Sequence, residues 1–150
     1  MPYLVKDELN THLYGENVDE VTRGDDTIAT NAIDTAIAEA KSKLSRFNLN
    51  KLFDPAYTGY VADVNLKNKV KDMACYHLIT LCNSNIDYEV KKERYEFALQ
   101  WLKDVRDGKE DPDGWPYKDD DADTDYPEGN VTSMYTNPPR RNHIPTRNNE

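Results

Sequence analysis

The apolar side chains of this chain stop well before the chain does. The last 41 residues, Glu110 to Glu150, contain no Leu and no Phe, and Val131 and Ile144 are their only branched aliphatics. Six of the eight prolines lie there: Pro112, Pro116, Pro127, Pro138, Pro139 and Pro145. The same stretch carries 10 acidic and 4 basic side chains, a net of −6 within a whole-chain charge of −9. Such a segment buries too little apolar surface to offset its ordering entropy. The expected organisation is a helical domain over 1–108, closed by Gly108, and an acidic, Pro-rich extended tail over 109–150 that orders only on a partner. About 108 residues suffice for a core that removes roughly 60–70% of the unfolded surface from water.

Within 1–108 the apolar spacing is helical. Val5, Leu9 and Leu13 recur every four positions, which predicts a short helix over 4–14 with Gly15 as its left-handed stop. Asp25 and Asp26 offer N-caps for a longer helix whose apolar positions are Ile28, Ala32, Ile33, Ala36, Ile37, Ala40, Leu44 and Phe47. Pro55, Gly59 and two tyrosines make 48–63 a loop. A third helix runs from about Val64 to Cys82, basic on one side through Lys67, Lys69 and Lys71. Its second half, Met73 to Cys82, is apolar nearly all round, as suits a central core helix or an oligomer interface. The fourth, about Asp87 to Asp107, aligns Tyr95, Ala98, Leu99, Leu102 and Val105. With no sustained period of two, the expected class is all-α: a small four-helix domain with a long C-terminal extension.

Charge and composition exclude several functions. No run approaches the roughly 18 uninterrupted apolar residues of a membrane span, so no membrane partner is expected. Lys6, Asp7 and Glu8 interrupt the opening residues, which argues against a secretory signal. Two cysteines cannot build a disulfide scaffold, which points to a reducing compartment. A net acidic chain also lacks the clustered Lys and Arg that sequence-independent nucleic-acid binding needs.

A search for reactive chemistry finds little. Cys75 and Cys82 are seven apart on one helix, about 10 Å by helical rise, too far for a disulfide. His77 lies on another azimuth and no second ligand pair follows at zinc spacing, so core cysteines are expected and no metal. Nucleophile-elbow, zinc-protease and phosphate-loop motifs are absent from the sequence, so neither catalytic residues nor a cofactor are expected. The run Asp119 to Asp125 resembles a calcium loop only superficially. Counted from Asp121, the loop's glycine and glutamate positions hold Tyr126 and Thr132.

The tail does contain candidate anchors. Trp115, Tyr117, Tyr126, Tyr135, Pro138, Pro139, Arg140 and Arg141 punctuate an otherwise polar segment. Aromatic and Arg side chains dominate interface energies once desolvated, and proline lowers the ordering cost of docking. Fully extended, the tail reaches on the order of 130 Å, enough to cross a neighbouring subunit.

Three stretches also carry a family resemblance. They are Ala36 to Leu49 (AIAEAKSKLSRFNL), Asp72 to Leu78 (DMACYHL), and Tyr95 to Gly108 with Ala98, Leu99, Leu102 and Val105 between. Together with Tyr3-Leu4 and Asp7-Glu8-Leu9, their order and spacing over residues 3–109 resemble the Mu-like prophage head-tail connector family of tailed phages. Two departures are Val5, where Ser or Thr is expected as N-cap, and the tail, which outruns the family's usual end.

The resemblance implies a non-enzymatic virion protein at the head-tail junction, made in the host cytoplasm. It implies a homo-oligomeric ring, commonly twelvefold, that binds the portal protein and a tail or next connector protein. Such a ring extends a channel that DNA crosses without specific binding, and an acidic wall suits that passage by repulsion. By analogy, Trp115 to Arg141 would form a clasp on the portal. The other class is an acidic regulatory protein that mimics DNA or occupies a basic partner.

Overall fold

A computed structural model describes residues 1–81 and 88–118. Among these the regular structure is helical, apart from a single antiparallel bridge between Phe47 and Tyr117. A 3-10 turn over Lys6–Thr11 leads into five α-helices: α1 (Gly15–Thr22), α2 (Asp26–Lys43), α3 (Leu49–Phe53), α4 (Val64–Ile79) and α5 (Tyr88–Arg106). The all-α expectation holds. Cys82, Asp87 and the tail from 119 onward, with Tyr126, Tyr135, Pro138, Pro139, Arg140 and Arg141, lie outside the described residues.

Side-chain caps fix the helix starts. Asp25 accepts from the Thr27 backbone N–H at 2.9 Å and from its hydroxyl at 2.6 Å, opening α2. Asp63 accepts from Leu66 N–H at 2.8 Å, opening α4. Each bond satisfies a donor that the first helical turn leaves without a partner, typically worth about 1 kcal/mol. At Val5, which has no capping side chain, the Glu8 carboxylate accepts the Val5 N–H at 3.2 Å instead.

The first helix expectation needs correction. The turn over Lys6–Thr11 is 3-10, and Gly15 does not end it; Gly15 is the first residue of α1. A Cβ there would lie 3.3 Å from Asn10 Oδ1, so the bare glycine lets the preceding turn fold close. Val18, Val21 and Thr22 of α1 are all buried, a period that the sequence contained and the stop at Gly15 concealed. The stretch 48–63 is likewise more than a loop. Asn48 Oδ1 accepts from Asn50 and Lys51 N–H and starts α3, which buries Leu52 and Phe53.

The core lies where α4 packs against both α2 and α5. Alanines dominate the buried face of α2: Ala29, Ala32, Ala36 and Ala40, with Ile33. Against it α4 places Leu66, Val70, Met73, Ala74, Cys75, Leu78 and Ile79, all buried within this one chain, while Tyr76 and His77 are half-buried and Leu81 beyond the helix is exposed. Ala98, Leu102 and Val105 complete the layer from α5. Lys69 lies over the Phe97 ring and the Tyr76 hydroxyl meets that of Tyr88, so α4 and α5 run in opposite directions. Among the described residues no helix is long and apolar enough to cross a membrane.

Candidate interaction sites

The packed domain does not end at Gly108. Gly108, at φ 75°, turns the chain out of α5, and residues 111–118 return along the far end of the bundle. Trp115 is 5% exposed. Its indole meets Phe47 edge-on at 5.2 Å and Trp101 edge-on at 5.9 Å, and its N–H donates to Asp63 Oδ2 at 2.7 Å. The Asn48 N–H donates to the Pro116 carbonyl at 2.9 Å, and the Lys118 N–H donates to the Arg46 carbonyl at 3.1 Å. Tyr117 stacks on Phe47 at 5.0 Å, while the Arg46 guanidinium covers both rings at 4.8 and 5.5 Å.

These contacts correct the expectation for Trp115, which fills a slot in its own domain and is not a free anchor. The physical reason is that Phe47 and Trp101 supply apolar walls and Asp63 supplies the acceptor that a buried indole requires. Averaging composition over 41 residues hid this. The signal was local: Gly108 and Gly114 flank a short return loop that ends on a large aromatic residue.

A second site opens at the opposite end of α5. A groove of about 480 Å³ is lined by Asn10, His12, Tyr14, Asn17, Lys91 and Arg94, among others. Lys91 Nζ donates to the His12 carbonyl, and Lys71, though 8% exposed, donates to Thr11 Oγ1 at 3.3 Å. The Thr11 hydroxyl lies 2.9 Å from the Glu8 carbonyl and 2.7 Å from His12 Nδ1, so its single proton serves one of the two. His12 Nε2 and Arg94 each approach Asp72 Oδ1 at 3.8 Å, and this buried oxygen has no hydrogen-bond donor.

Electrostatics at the groove favour an anion. Burial lowers the His12 pKa from its ordinary 6.5; Asp72 opposes that, and Lys71, Arg94 and Lys91 push it lower. Three basic side chains and one carboxylate therefore act on His12, and Lys71 also faces Glu8. From the groove an exposed stripe continues down α5, through Val90, Arg94 and Phe97, and ends on the half-buried Trp101, residues spaced to share one helix face. Phe97 is 64% exposed, and Lys69 Nζ sits 4.2 Å from its ring centre.

A third cluster is closed on itself. Glu39 accepts from the Tyr95 hydroxyl at 2.9 Å and pairs with His77 Nε2 at 3.2 Å. Tyr95 stacks on Tyr76 at 4.3 Å. Burial, followed by the bond to Glu39, pushes the Tyr95 phenol up to about 12, so it stays a neutral donor. Cys75 lies in the core, where burial raises its thiol to about 11. Among the described residues no three His, Cys, Asp or Glu side chains gather as metal ligands.

Comparison with protein-family models, with curated proteins and with solved structures finds no match to this chain.

Proposed function

We propose that the chain is a non-enzymatic structural subunit of the head-tail junction of a tailed phage, an adaptor that docks beneath the portal. The observation that carries this reading is the order and spacing of the blocks over residues 3–109 that resemble the connector family. Those blocks supply one continuous core, from Tyr3, Leu4 and Leu9 through Ala36, Ala40, Leu44 and Phe47 to Met73, Leu78, Ala98, Leu102 and Val105. A compact helical block followed by a long acidic segment suits a subunit that stacks in a ring and reaches for a neighbour. The isolated chain is monomeric or weakly associated, and the portal templates the ring. Because Trp115 and Tyr117 both pack on Phe47 of the domain, the portal clasp begins beyond Lys118, with Tyr126, Tyr135, Pro138, Pro139, Arg140 and Arg141 as its contacts.

The test is reconstitution of the purified full chain on the portal assembly encoded beside it, followed by cryo-EM. A ring of this protein under the portal is expected, and deletion after Lys118 should weaken docking at least tenfold. Failure of the full chain to bind the portal overturns the reading. The acidic excess after residue 109 favours the second reading, an acidic regulator of a basic protein. That reading requires tight binding to a basic partner that collapses between 50 and 500 mM salt, whereas docking through aromatics survives it.

A further inference from the structure

We infer that the basic groove between the 3-10 turn and α5 is the docking site for this chain's own acidic run, Asp119–Asp125, bound in cis. The inference is independent of the connector reading and needs only the groove, the stripe and the point where the described chain ends.

Donor capacity points to a carboxylate-rich occupant. Lys91 uses one of its three donors on the His12 carbonyl. Arg94, with 53% of its side chain exposed, lies beyond hydrogen-bond distance of Asp72. Lys71 and Lys91 reinforce the same field, and Asn10 and Asn17 add neutral donors at the rim. Lys71, Lys91 and Arg94 outnumber Asp72 around His12, with Glu8 also in the field of Lys71, in a chain whose total charge is −9. The complementary segment is in the same molecule: five aspartates, at 119, 120, 121, 123 and 125, within seven residues.

Reach favours the intramolecular arrangement. Trp115 is in ring contact with Trp101, the far end of the exposed stripe. Lys118, where the run starts, bonds to Arg46, whose guanidinium reaches the Arg106 carbonyl; from Arg106 to Arg94 is about 18 Å of helix, and to Lys91 about 22 Å. The seven residues of the acidic run, extended, cover about 23 Å. A fully extended run starting just after Lys118 therefore just spans the path past Phe97 and Lys69 and brings its last aspartates to Arg94 and Lys91. Tethering supplies an effective concentration in the millimolar range, which an unlinked copy at micromolar concentration does not match.

Zero-length carbodiimide cross-linking of the full chain at low salt, followed by peptide mapping, tests this. The expected product joins Lys91 to an aspartate of 119–125 within one molecule, in at least fivefold excess over links to Lys43 or Lys51. Those two lie nearer to where Lys118 is anchored, so random encounter would favour them. In an equal mixture of 14N and 15N protein, the Lys91 link should be almost entirely isotopically pure. Arg94→Glu should cut its yield several-fold without changing the circular dichroism spectrum. Links spread evenly over the lysines overturn the inference, as does a Lys91 link that mixes isotopes, which would place the run on a second copy. As a measurement independent of lysine reactivity, replacing all five aspartates by Asn should shift the amide resonances of Asn10–Asn17 and Val90–Arg94. Unchanged resonances there count against the inference.

Discussion

Trp115 and Asp63 join the C-terminal segment to the first turn of α4: one carboxylate oxygen caps the helix at Leu66 N–H, 2.8 Å away, and the other accepts the indole N–H at 2.7 Å. Each half of the arrangement depends on the other. Trp115→Ala should cost about 3–5 kcal/mol, the range for emptying a buried aromatic site. Asp63→Ala should cost about 2–4 kcal/mol, combining a lost cap with an indole left without an acceptor. In a Trp115→Phe background the Asp63→Ala penalty should fall toward that of the cap alone, about 1 kcal/mol. Urea denaturation of the four proteins measures the coupling; strict additivity would show that the indole bond is not formed in solution.

The same relationship sets where the chain can be cut. Ending it after Gly108 removes Trp115 and uncovers Phe47 and Trp101, so the melting temperature should drop by at least 10 °C. Ending it after Lys118 keeps these contacts and should move the midpoint by less than about 3 °C. Differential scanning fluorimetry on the two truncations decides the point. Equal stability would return the domain boundary to Gly108.

The long elements were legible in the sequence because their period is long and their caps are explicit. Asp25 before α2 and the alanine-rich spacing behind it left little else for 26–43 to be. Short elements were not. The 3-10 turn and α1 are separated by a glycine that looks like a terminator, and α3 sits between Asn48 and Pro55 among turn residues. The basic groove was invisible for another reason. His12, Lys71, Asp72, Lys91 and Arg94 come from three elements far apart in sequence, and only the packing of α4 against α5 assembles them. Lys71 in particular reads as a solvated charge until the turn at Thr11 covers it.

His12 makes stability depend on pH. Burial and three cations hold its folded pKa below the ordinary 6.5, so the unfolded chain takes up the proton more readily. This contribution is complete above pH 6.5 and is lost as pH falls through the folded value. Glu8 is held below its ordinary 4.5; burial opposes this, but the hydrogen bonds from Lys67 and Val5 prevail, so its loss comes in a lower window. Stability should therefore begin to decline as pH falls below 6.5 in the wild type, and His12→Gln should flatten that first part of the curve. Denaturation midpoints across the range test it; an unchanged slope in the variant assigns the decline to other groups.

Cys75 should be unreactive in the native state. A thiol raised to about 11 and enclosed by the α4 core presents almost no thiolate at neutral pH. Iodoacetamide labelling followed by mass spectrometry of the Cys75 peptide should show modification at least a hundredfold slower than in 6 M guanidinium. Comparable rates would mean that α4 opens readily.

The alanine face of α2 sets how closely α4 can approach. Ala36 and Ala40 are fully buried, while Ala38, two residues from each, is exposed. Helices packed through small residues lie at the near end of the usual 8–10 Å interaxial range, with no space for added methylenes. Ala36→Leu must therefore displace buried side chains of the core or push the helices apart, and should cost about 1–3 kcal/mol. Ala38→Leu carries the same change in helix propensity on the solvent side and should stay within about 0.5 kcal/mol. Thermal melts of the pair separate packing from propensity. If Ala36→Leu were neutral, the α2–α4 contact would be looser than the structure places it.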